Sequence, residues 1–208
     1  MRVREYYQIA LDVAGKPCLV VGGGEEAVEK TRRLLDAGAR VTVVAPQAAP
    51  DLQCWAREGR LTLLPRCFEE GDVEGVFLVQ VCVKDNRDLS RTLFALAQEK
   101  RFLVNAWDQP EFSNFAMPAL VRCGRLRIAI STGGASPMLA GALRRELEQL
   151  FDDDFAAYLE WLAERRRAAA NNPDERGGQG AAQREGIRGL RVTGRVEYPE
   201  AYLRQRKR

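Results

Sequence analysis

The chain has 208 residues, of which 46% are apolar, and a formal net charge of +3. This is enough apolar material for one ordinary domain with an appendage. No apolar run approaches the roughly 18 to 20 residues that cross a bilayer, and charges interrupt the N-terminal stretch where a signal peptide would be apolar, so we expect a globular cytoplasmic protein with no membrane partner.

Two residue types restrict the chemistry. The chain has no histidine, which removes the commonest general base and the commonest transition-metal ligand. The five cysteines are widely spaced and never form a C-x-x-C pair, so we predict reduced thiols, with neither a disulfide framework nor a zinc site. Proton transfer must then use Asp, Glu, Lys, Tyr or Cys, and no metal-binding residue is predicted.

The first half of the chain alternates between strand and helix patterns. Short β-branched runs predict five strands: one that ends at residue 21, just before the glycines, and four at 40–46, 60–66, 75–83 and 101–107. Helices are predicted between them, at 25–39, 47–59 and 86–100. Because the strands are almost entirely apolar, they suit a parallel sheet that is covered on both faces. The fold class is therefore α/β, a Rossmann-like doubly wound sheet, and we assign residues 1–111 to it.

The alternation of strand and helix patterns ends after residue 111. Basic and apolar residues alternate on both sides of Gly124, which predicts an antiparallel hairpin in a small α+β unit. A helix at 136–151 begins with Ser136 as its N-cap and carries a row of leucines on one face, Leu139, Leu143, Leu147 and Leu150. We assign residues 112–150 to this second unit and residues 151–208 to a helical segment followed by a loose tail, whose final stretch suits one strand and a helical turn.

The tail carries the positive charge of the chain. From residue 164 onward there are twelve basic and six acidic residues. Such a tail can contact nucleic acid, but no aromatic interleaving or nucleic-acid-binding motif accompanies it, so we do not expect a nucleic-acid partner.

A glycine turn, Gly22, Gly23 and Gly24, links the first strand to the first helix, and Ala27 completes a G-x-G-x-x-A fingerprint. This pattern is typical of dinucleotide sites, where the helix N-terminus faces the pyrophosphate. The acid that usually follows the second strand is missing, and Pro46 and Gln47 occupy its place. A glycine turn without any ligand is the alternative.

Asp108 follows the fifth strand, at the edge of the sheet where ligands of doubly wound folds bind. Beside Trp107, it is expected to be partly desolvated and suited to act as a general base, or else merely to cap the turn before Pro110. A second glycine turn, "ISTGGASP", precedes the helix at 136–151 and could hold a carboxylate or phosphate, or be only a helix start. An anionic substrate beside an anionic cofactor would explain both turns.

Three segments carry a resemblance to a known family: "CLVVGGGEEAVEKTRRLLDAGARVTVVAP", "VQVCVKDNRDLS" and "NAWDQPEFSNFAMPALVRCGRLRIAISTGGASPMLAGALRRELE". Over residues 5–165 the chain resembles the precorrin-2 dehydrogenase and sirohydrochlorin ferrochelatase family, the N-terminal half of siroheme synthases. The resemblance implies NAD-dependent oxidation of precorrin-2 to sirohydrochlorin, insertion of Fe²⁺ in bifunctional members, and a homodimer formed through the unit after residue 112.

The resemblance also implies roles for individual residues. The catalytic aspartate falls on Asp108. The cofactor contacts fall on the glycine turn and its neighbours, Gly22, Gly23, Gly24, Glu25, Glu26, Pro46, Gln47, Lys84 and Asp85. The substrate contacts fall on Asn105, Ser131, Thr132, Gly133 and Gly134, and Thr132 stands where one branch of the family has a phosphorylated serine.

This chain departs from the family at two places. Glu26 and Glu29 replace a valine and an arginine, while Lys30 is kept, and Lys84 begins a Lys-Asp-Asn sequence where Thr-Asp-Asp is common. Lys84 could pair with substrate carboxylates or weaken a metal route. A different class, an NAD-sensing regulatory domain without catalysis, is the alternative function, although such domains normally keep the acid after the second strand.

Overall fold

The computed structural model describes residues 6–170, 184, 186–188 and 190–193. These residues fall into two compact units, divided between Met117 and Pro118. The strand and helical turn predicted for residues 189–208 lie largely outside the described residues. In the part of the chain that is described, no helix is long and apolar enough to cross a membrane.

The first unit alternates strands and helices. Its elements are β1 (Pro17–Val21), α1 (Glu25–Asp36), β2 (Arg40–Val44), α2 (Pro50–Arg57), β3 (Thr62–Leu64), β4 (Leu78–Val81), α3 (Arg87–Lys100) and β5 (Leu103–Ala106), with two short 3₁₀ turns at Glu70–Val73 and Pro110–Phe112. The five strands are all parallel and stand in the order β3-β2-β1-β4-β5. The predicted Rossmann-like fold is confirmed.

Each face of the sheet packs against its own helices. One core joins β1, β2 and β4 to α1 and α2 through residues such as Val20, Val43 and Leu52, and the other joins the opposite face to α3 through Leu19, Val79 and Leu93. All six of these side chains are at most 1% exposed. Burial on both faces explains why the strands read as continuous apolar runs.

The strands are shorter than predicted at their carboxyl ends. The second strand ends at Val44 rather than residue 46, and the fourth ends at Val81 rather than residue 83. Apolar residues continue past both ends, so the sequence pattern does not mark the stop. The backbone leaves the ladder there to form the loops of the candidate site.

The outer edge of β5 is closed by side chains of the loop after it. The backbone N–H of Val104 donates to Oδ1 of Asn114 at 2.8 Å, and Nδ2 of Asn114 donates to the carbonyl of Phe102 at 3.0 Å. The N–H of Ala106 donates to Oγ of Ser113 at 2.9 Å. These bonds satisfy backbone groups that an open edge strand would present to another chain.

Asn114→Ala is expected to destabilise the protein by about 1–3 kcal/mol, because the N–H of Val104 on β5 and the carbonyl of Phe102 just before it both lose their side-chain partner. The measurement is the free energy of unfolding in urea. Asn86→Ala is the comparison, since it removes a single helix-capping bond to Leu89 N–H and should cost about 1 kcal/mol. An Asn114→Ala protein as stable as wild type would show that solvent replaces these bonds.

The second unit begins with a hairpin. Strands β6 (Ala119–Cys123) and β7 (Leu126–Ile130) pair antiparallel, followed by α4 (Pro137–Glu148) and α5 (Asp153–Ala170). The predicted hairpin around Gly124 and the Ser136 N-cap are both present, and Oγ of Ser136 accepts from the N–H of Leu139 at 3.1 Å. Gly124 has φ +50, and a Cβ there would lie 2.9 Å from the Cβ of Ala156 on α5.

This second unit covers little of its own apolar surface. Val121 is the buried residue of the hairpin, and Ala140 that of α4. Met138 and Leu139 are 85% and 50% exposed, and Leu150, at the end of the leucine row, is 45% exposed. A two-stranded sheet packed only against α4 and α5 is too small to bury these side chains.

Candidate functional site

The strand order reverses between β1 and β4. The chain runs from β1 outward through β2 to β3, then returns to β4 and β5 on the other side of β1. Helices α1 and α3, which follow β1 and β4, pack on opposite faces of the sheet. A crevice therefore opens at the carboxyl ends of β1 and β4, which is the usual ligand site of doubly wound sheets.

The glycine turn lies at this crevice and is held closely from two sides. Gly22 has φ +122, and a Cβ on it would meet the carbonyl oxygen of Cys82 at 2.9 Å. A Cβ on Gly23 would lie 1.9 Å from the carbonyl oxygen of Gln47, and the carbonyl of Gly23 accepts from the N–H of Ala49 at 2.8 Å. Both positions therefore require glycine.

Gly24 differs from its two neighbours. A Cβ on it would meet nothing within 4 Å, and it is the N-cap of α1 without any side-chain capping bond. The first turn of α1 is thus left uncapped by side chains, with open space in front of it. These features fit the pyrophosphate of a dinucleotide, which takes its hydrogen bonds from helix N-terminal amides.

Pro46 and Gln47 lie in the loop that folds onto the glycine turn, and both are exposed. The contact of Gln47 with Gly23 is through its backbone, so its side chain remains available for hydroxyl groups of a ribose. The structure therefore brings these sequence-predicted residues together with the glycine turn.

Cys82 lies directly behind the turn. Its side chain is 7% exposed, and burial raises the pKa of its thiol to about 12, with nearby Glu26 and Glu29 adding to the shift and Lys30 opposing it. The buried Cys18 thiol also has its pKa raised, to about 11, by burial. Both groups stay protonated near neutral pH, so neither is a candidate base.

Asp108 is held in a sharp turn after β5. The N–H of Trp107 donates to the carbonyl of Val81 at 2.9 Å, the N–H of Gln109 donates to the carbonyl of Ala106 at 3.2 Å, and Asp108 between them has φ +56. A non-glycine residue rarely adopts this conformation, although aspartate tolerates it better than most.

The Asp108 side chain is exposed, which corrects the expectation that its position beside Trp107 partly desolvates it. After this turn the chain comes back along the edge of β5, where Ser113 and Asn114 bond to its backbone. Within this unit the carboxylate therefore faces solvent, where a substrate can reach it.

Gln109 ties the Asp108 turn to the loop after β4. It is only 3% exposed, and its Nε2 donates to the carbonyl of Lys84 at 2.9 Å. Its carbonyl accepts from Oγ of Ser113 at 3.2 Å, while its Oε1 is buried without a hydrogen-bond partner among the described residues. The ammonium of Lys84 lies 5.7 Å from the ring centre of Trp107. The Lys84 and Asp108 loops are therefore fixed to each other, and the exposed Asp85 follows in the first of them.

The predicted substrate contacts are divided between the two units. In the first, Nδ2 of Asn105 donates to the carbonyl of Phe115 at 3.1 Å, so this side chain supports the loop after β5. In the second, Oγ1 of Thr132 accepts from the N–H of Ser136 and donates to its carbonyl, both at 3.1 Å. Ser131, Gly133 and Gly134 are exposed, and both glycines have positive φ with open space where a Cβ would be.

Sequence reasoning missed two features of the first unit. Gln109 gave no signal, because nothing in its neighbourhood marks it as buried. The ion pair between Glu26 and Lys30, with Oε1 and Nζ 2.7 Å apart, was readable from its spacing of four residues on one helix.

The fold and the glycine turn define a dinucleotide-binding domain of the Rossmann type. Residues 9–119 match a family model described as "Putative NAD(P)-binding", and residues 124–150 match one described as "Sirohaem biosynthesis protein central". The chain therefore belongs to this NAD(P)-binding family, and the second match agrees with the resemblance to sirohaem biosynthesis proteins. The prediction of a nicotinamide dinucleotide cofactor is thereby confirmed.

Individual relatives agree with this family. The chain is 36% identical over 162 residues to siroheme synthase 2 of Pectobacterium atrosepticum, a match covering 78% of this chain and 35% of that protein. It is 35% identical over 202 residues to siroheme synthase of Thioalkalivibrio sulfidiphilus, covering 97% of this chain and 36% of that one. The chain thus spans about a third of the length of the curated relatives it matches.

A solved structure covers nearly the whole of both chains. "SirC, precorrin-2 dehydrogenase" superposes with a TM-score of 0.74 at 29% identity, over 88% of this chain and 90% of that one. Both the Rossmann-like unit and the following segment therefore have a counterpart in a single known protein.

Proposed function

We propose that this protein oxidises precorrin-2 to sirohydrochlorin with NAD as the hydride acceptor, as one step of siroheme biosynthesis in the cytoplasm. The observation that carries the proposal is the likeness to the precorrin-2 dehydrogenase structure over 88% of this chain and 90% of that one, together with a glycine turn shaped for a dinucleotide.

Different residues of the crevice hold different parts of the cofactor. Backbone amides around Gly22, Gly23 and Gly24 and at the first helical turn, Glu25 and Glu26, hold the pyrophosphate, since no side chain caps that turn. Pro46 and Gln47 hold the ribose in place of the missing acid, and the loop of Lys84 and Asp85 borders the cofactor. When bound, NAD supplies the acceptor for the hydride that leaves the tetrapyrrole.

Asp108 acts as the general base. Oxidation of precorrin-2 removes two hydrogens, one with its electron pair and one as a proton, and the carboxylate of Asp108 takes that proton. The left-handed turn presents the carboxylate to solvent, and the bonds of Gln109 to Lys84 and Ser113 hold the turn in place. Asn105, Ser131, Thr132, Gly133 and Gly134 contact the polycarboxylate substrate.

The proposal is tested by incubating the purified protein with precorrin-2, with and without NAD, and following sirohydrochlorin by absorbance. We expect product only when NAD is present. NAD binding without any product would instead favour the NAD-sensing function.

Two further properties follow from the resemblance to siroheme synthases. We propose a homodimer formed through the second unit, supported by the exposed apolar side chains of α4, Met138 and Leu139. We also propose that sirohydrochlorin receives Fe²⁺ on this protein, with Asp108 accepting the pyrrole protons. A monomeric mass by light scattering would refute the first, and an absence of metallated product after adding Fe²⁺ or Co²⁺ would refute the second.

A further inference from the structure

An ion pair joins the first two turns of α1, beside the part of the site assigned to the pyrophosphate. Oε1 of Glu26 lies 2.7 Å from Nζ of Lys30, and the two side chains are only 17% and 13% exposed. The pair Glu29–Arg33, further along the same helix, is more exposed, at 43% and 33%. Glu26 and Lys30 are therefore packed between the helix and the structure beneath it.

The surroundings place this pair against the glycine turn. Glu26 belongs to the first turn of α1, two residues after the N-cap Gly24, and its charge and that of Lys30 shift the pKa of the Cys82 thiol in opposite directions, after the larger effect of burial. Cys82 is the residue whose carbonyl oxygen would meet a Cβ on Gly22. The Glu26 side chain therefore extends from the same helical turn whose amides are assigned to the phosphates.

An unpaired carboxylate there would oppose an anionic ligand. A negative side chain in the first helical turn competes with a bound anion for the positive end of the helix dipole, and it repels that anion directly. Partial burial strengthens the repulsion, because solvent screens the charges less. Lys30 cancels the charge of Glu26 before a ligand arrives.

We propose that Lys30 is an affinity-determining residue for the dinucleotide, acting through Glu26: it neutralises this carboxylate so that the helix N-terminus can accept a pyrophosphate. Lys30 is thus a positioning residue rather than a phosphate ligand. The inference rests on the proposed function, since it assumes that the cofactor binds at this turn.

A double-mutant cycle tests the assignment, with the dissociation constant of NAD measured by calorimetry. Lys30→Met is expected to weaken binding about tenfold, because Glu26 is left charged and unpaired. Lys30→Arg, which keeps the charge, should bind close to wild type. Lys30→Met combined with Glu26→Val should recover wild-type affinity or exceed it.

Two outcomes would overturn the proposal. Equal weakening by Lys30→Met in the wild-type protein and in the Glu26→Val variant would show that Lys30 contacts the cofactor itself. Unchanged affinity in Lys30→Met would show that the carboxylate does not affect the cofactor.

Matched controls separate this effect from folding and from surface charge. Arg33→Met leaves Glu29 unpaired three residues farther along the same helix, where the carboxylate is more exposed, so we expect a clearly smaller loss of NAD affinity than in Lys30→Met. Urea unfolding of each variant shows that affinities are compared among folded proteins.

The binding experiment stands apart from the test of activity. If NAD binds and the cycle behaves as expected but precorrin-2 is not oxidised, the proposed reaction fails and the role of Lys30 stands. If precorrin-2 is oxidised but the cycle shows no coupling, the role of Lys30 fails alone. Wild-type protein that does not bind NAD would refute both.

Discussion

Asp108→Asn is expected to lower the rate of precorrin-2 oxidation by about 10²- to 10⁴-fold, the usual contribution of a general base. Asparagine keeps the shape of the side chain and tolerates the left-handed backbone conformation, with φ +56, that residue 108 adopts. The affinity for NAD should stay near the wild-type value, because no cofactor contact is assigned to this side chain. The measurements are initial rates by absorbance and NAD binding by calorimetry.

Two companion variants make the result specific. Asp108→Gly also removes the carboxylate but suits a positive φ, so it should be as inactive as Asp108→Asn and equally well folded. Asp88→Asn removes an exposed acid that pairs with Arg91 on α3, outside the proposed site, and should keep wild-type activity. Normal turnover in Asp108→Asn would exclude the carboxylate as the base.

Gly23→Ala is expected to abolish detectable NAD binding and to destabilise the first unit by about 1–3 kcal/mol. The new Cβ would lie 1.9 Å from the carbonyl oxygen of Gln47 and 2.9 Å from the Cα of Ala48. Both atoms belong to backbone, so the loop that carries Pro46 and Gln47 must move. The measurements are the dissociation constant of NAD and the free energy of unfolding in urea.

Gly24→Ala is the matched comparison. Its Cβ would meet no protein atom within 4 Å, so we expect a loss of less than about 1 kcal/mol in stability, from the poorer N-cap. Its affinity for NAD should nevertheless fall, because the methyl group would occupy the open space in front of α1. Native NAD affinity in Gly23→Ala would show that the glycine turn is not the cofactor site.

The sequence determined the layers of the first unit because its signals are local. The β-branched runs, the glycine turn before α1 and the helix patterns each depend on residues within one element, and the sheet they predicted is present. Asn86 and Ser136 were readable as helix starts for the same reason, since each side chain bonds an N–H three residues ahead. The position of Asp108 beyond β5 likewise followed from the strand pattern.

The resemblance to a known family predicted more about function than the periodic patterns did. It named the cofactor class, and the family match confirmed it. The assignments of individual residues to cofactor or substrate remain predictions, because they depend on a bound ligand.

Only the tertiary structure determined the contacts between loops that are distant in sequence. The close approach of Gln47 to Gly23, the bond from Gln109 to Lys84 and the left-handed turn that exposes Asp108 arise when β1, β2, β4 and β5 come side by side. Parallel strands bring their carboxyl ends to one edge, so loops that are far apart along the chain meet there. No local sequence pattern shows which atoms of these loops are in contact. The sequence therefore predicted where the candidate site lies along the chain, and the fold determined its geometry.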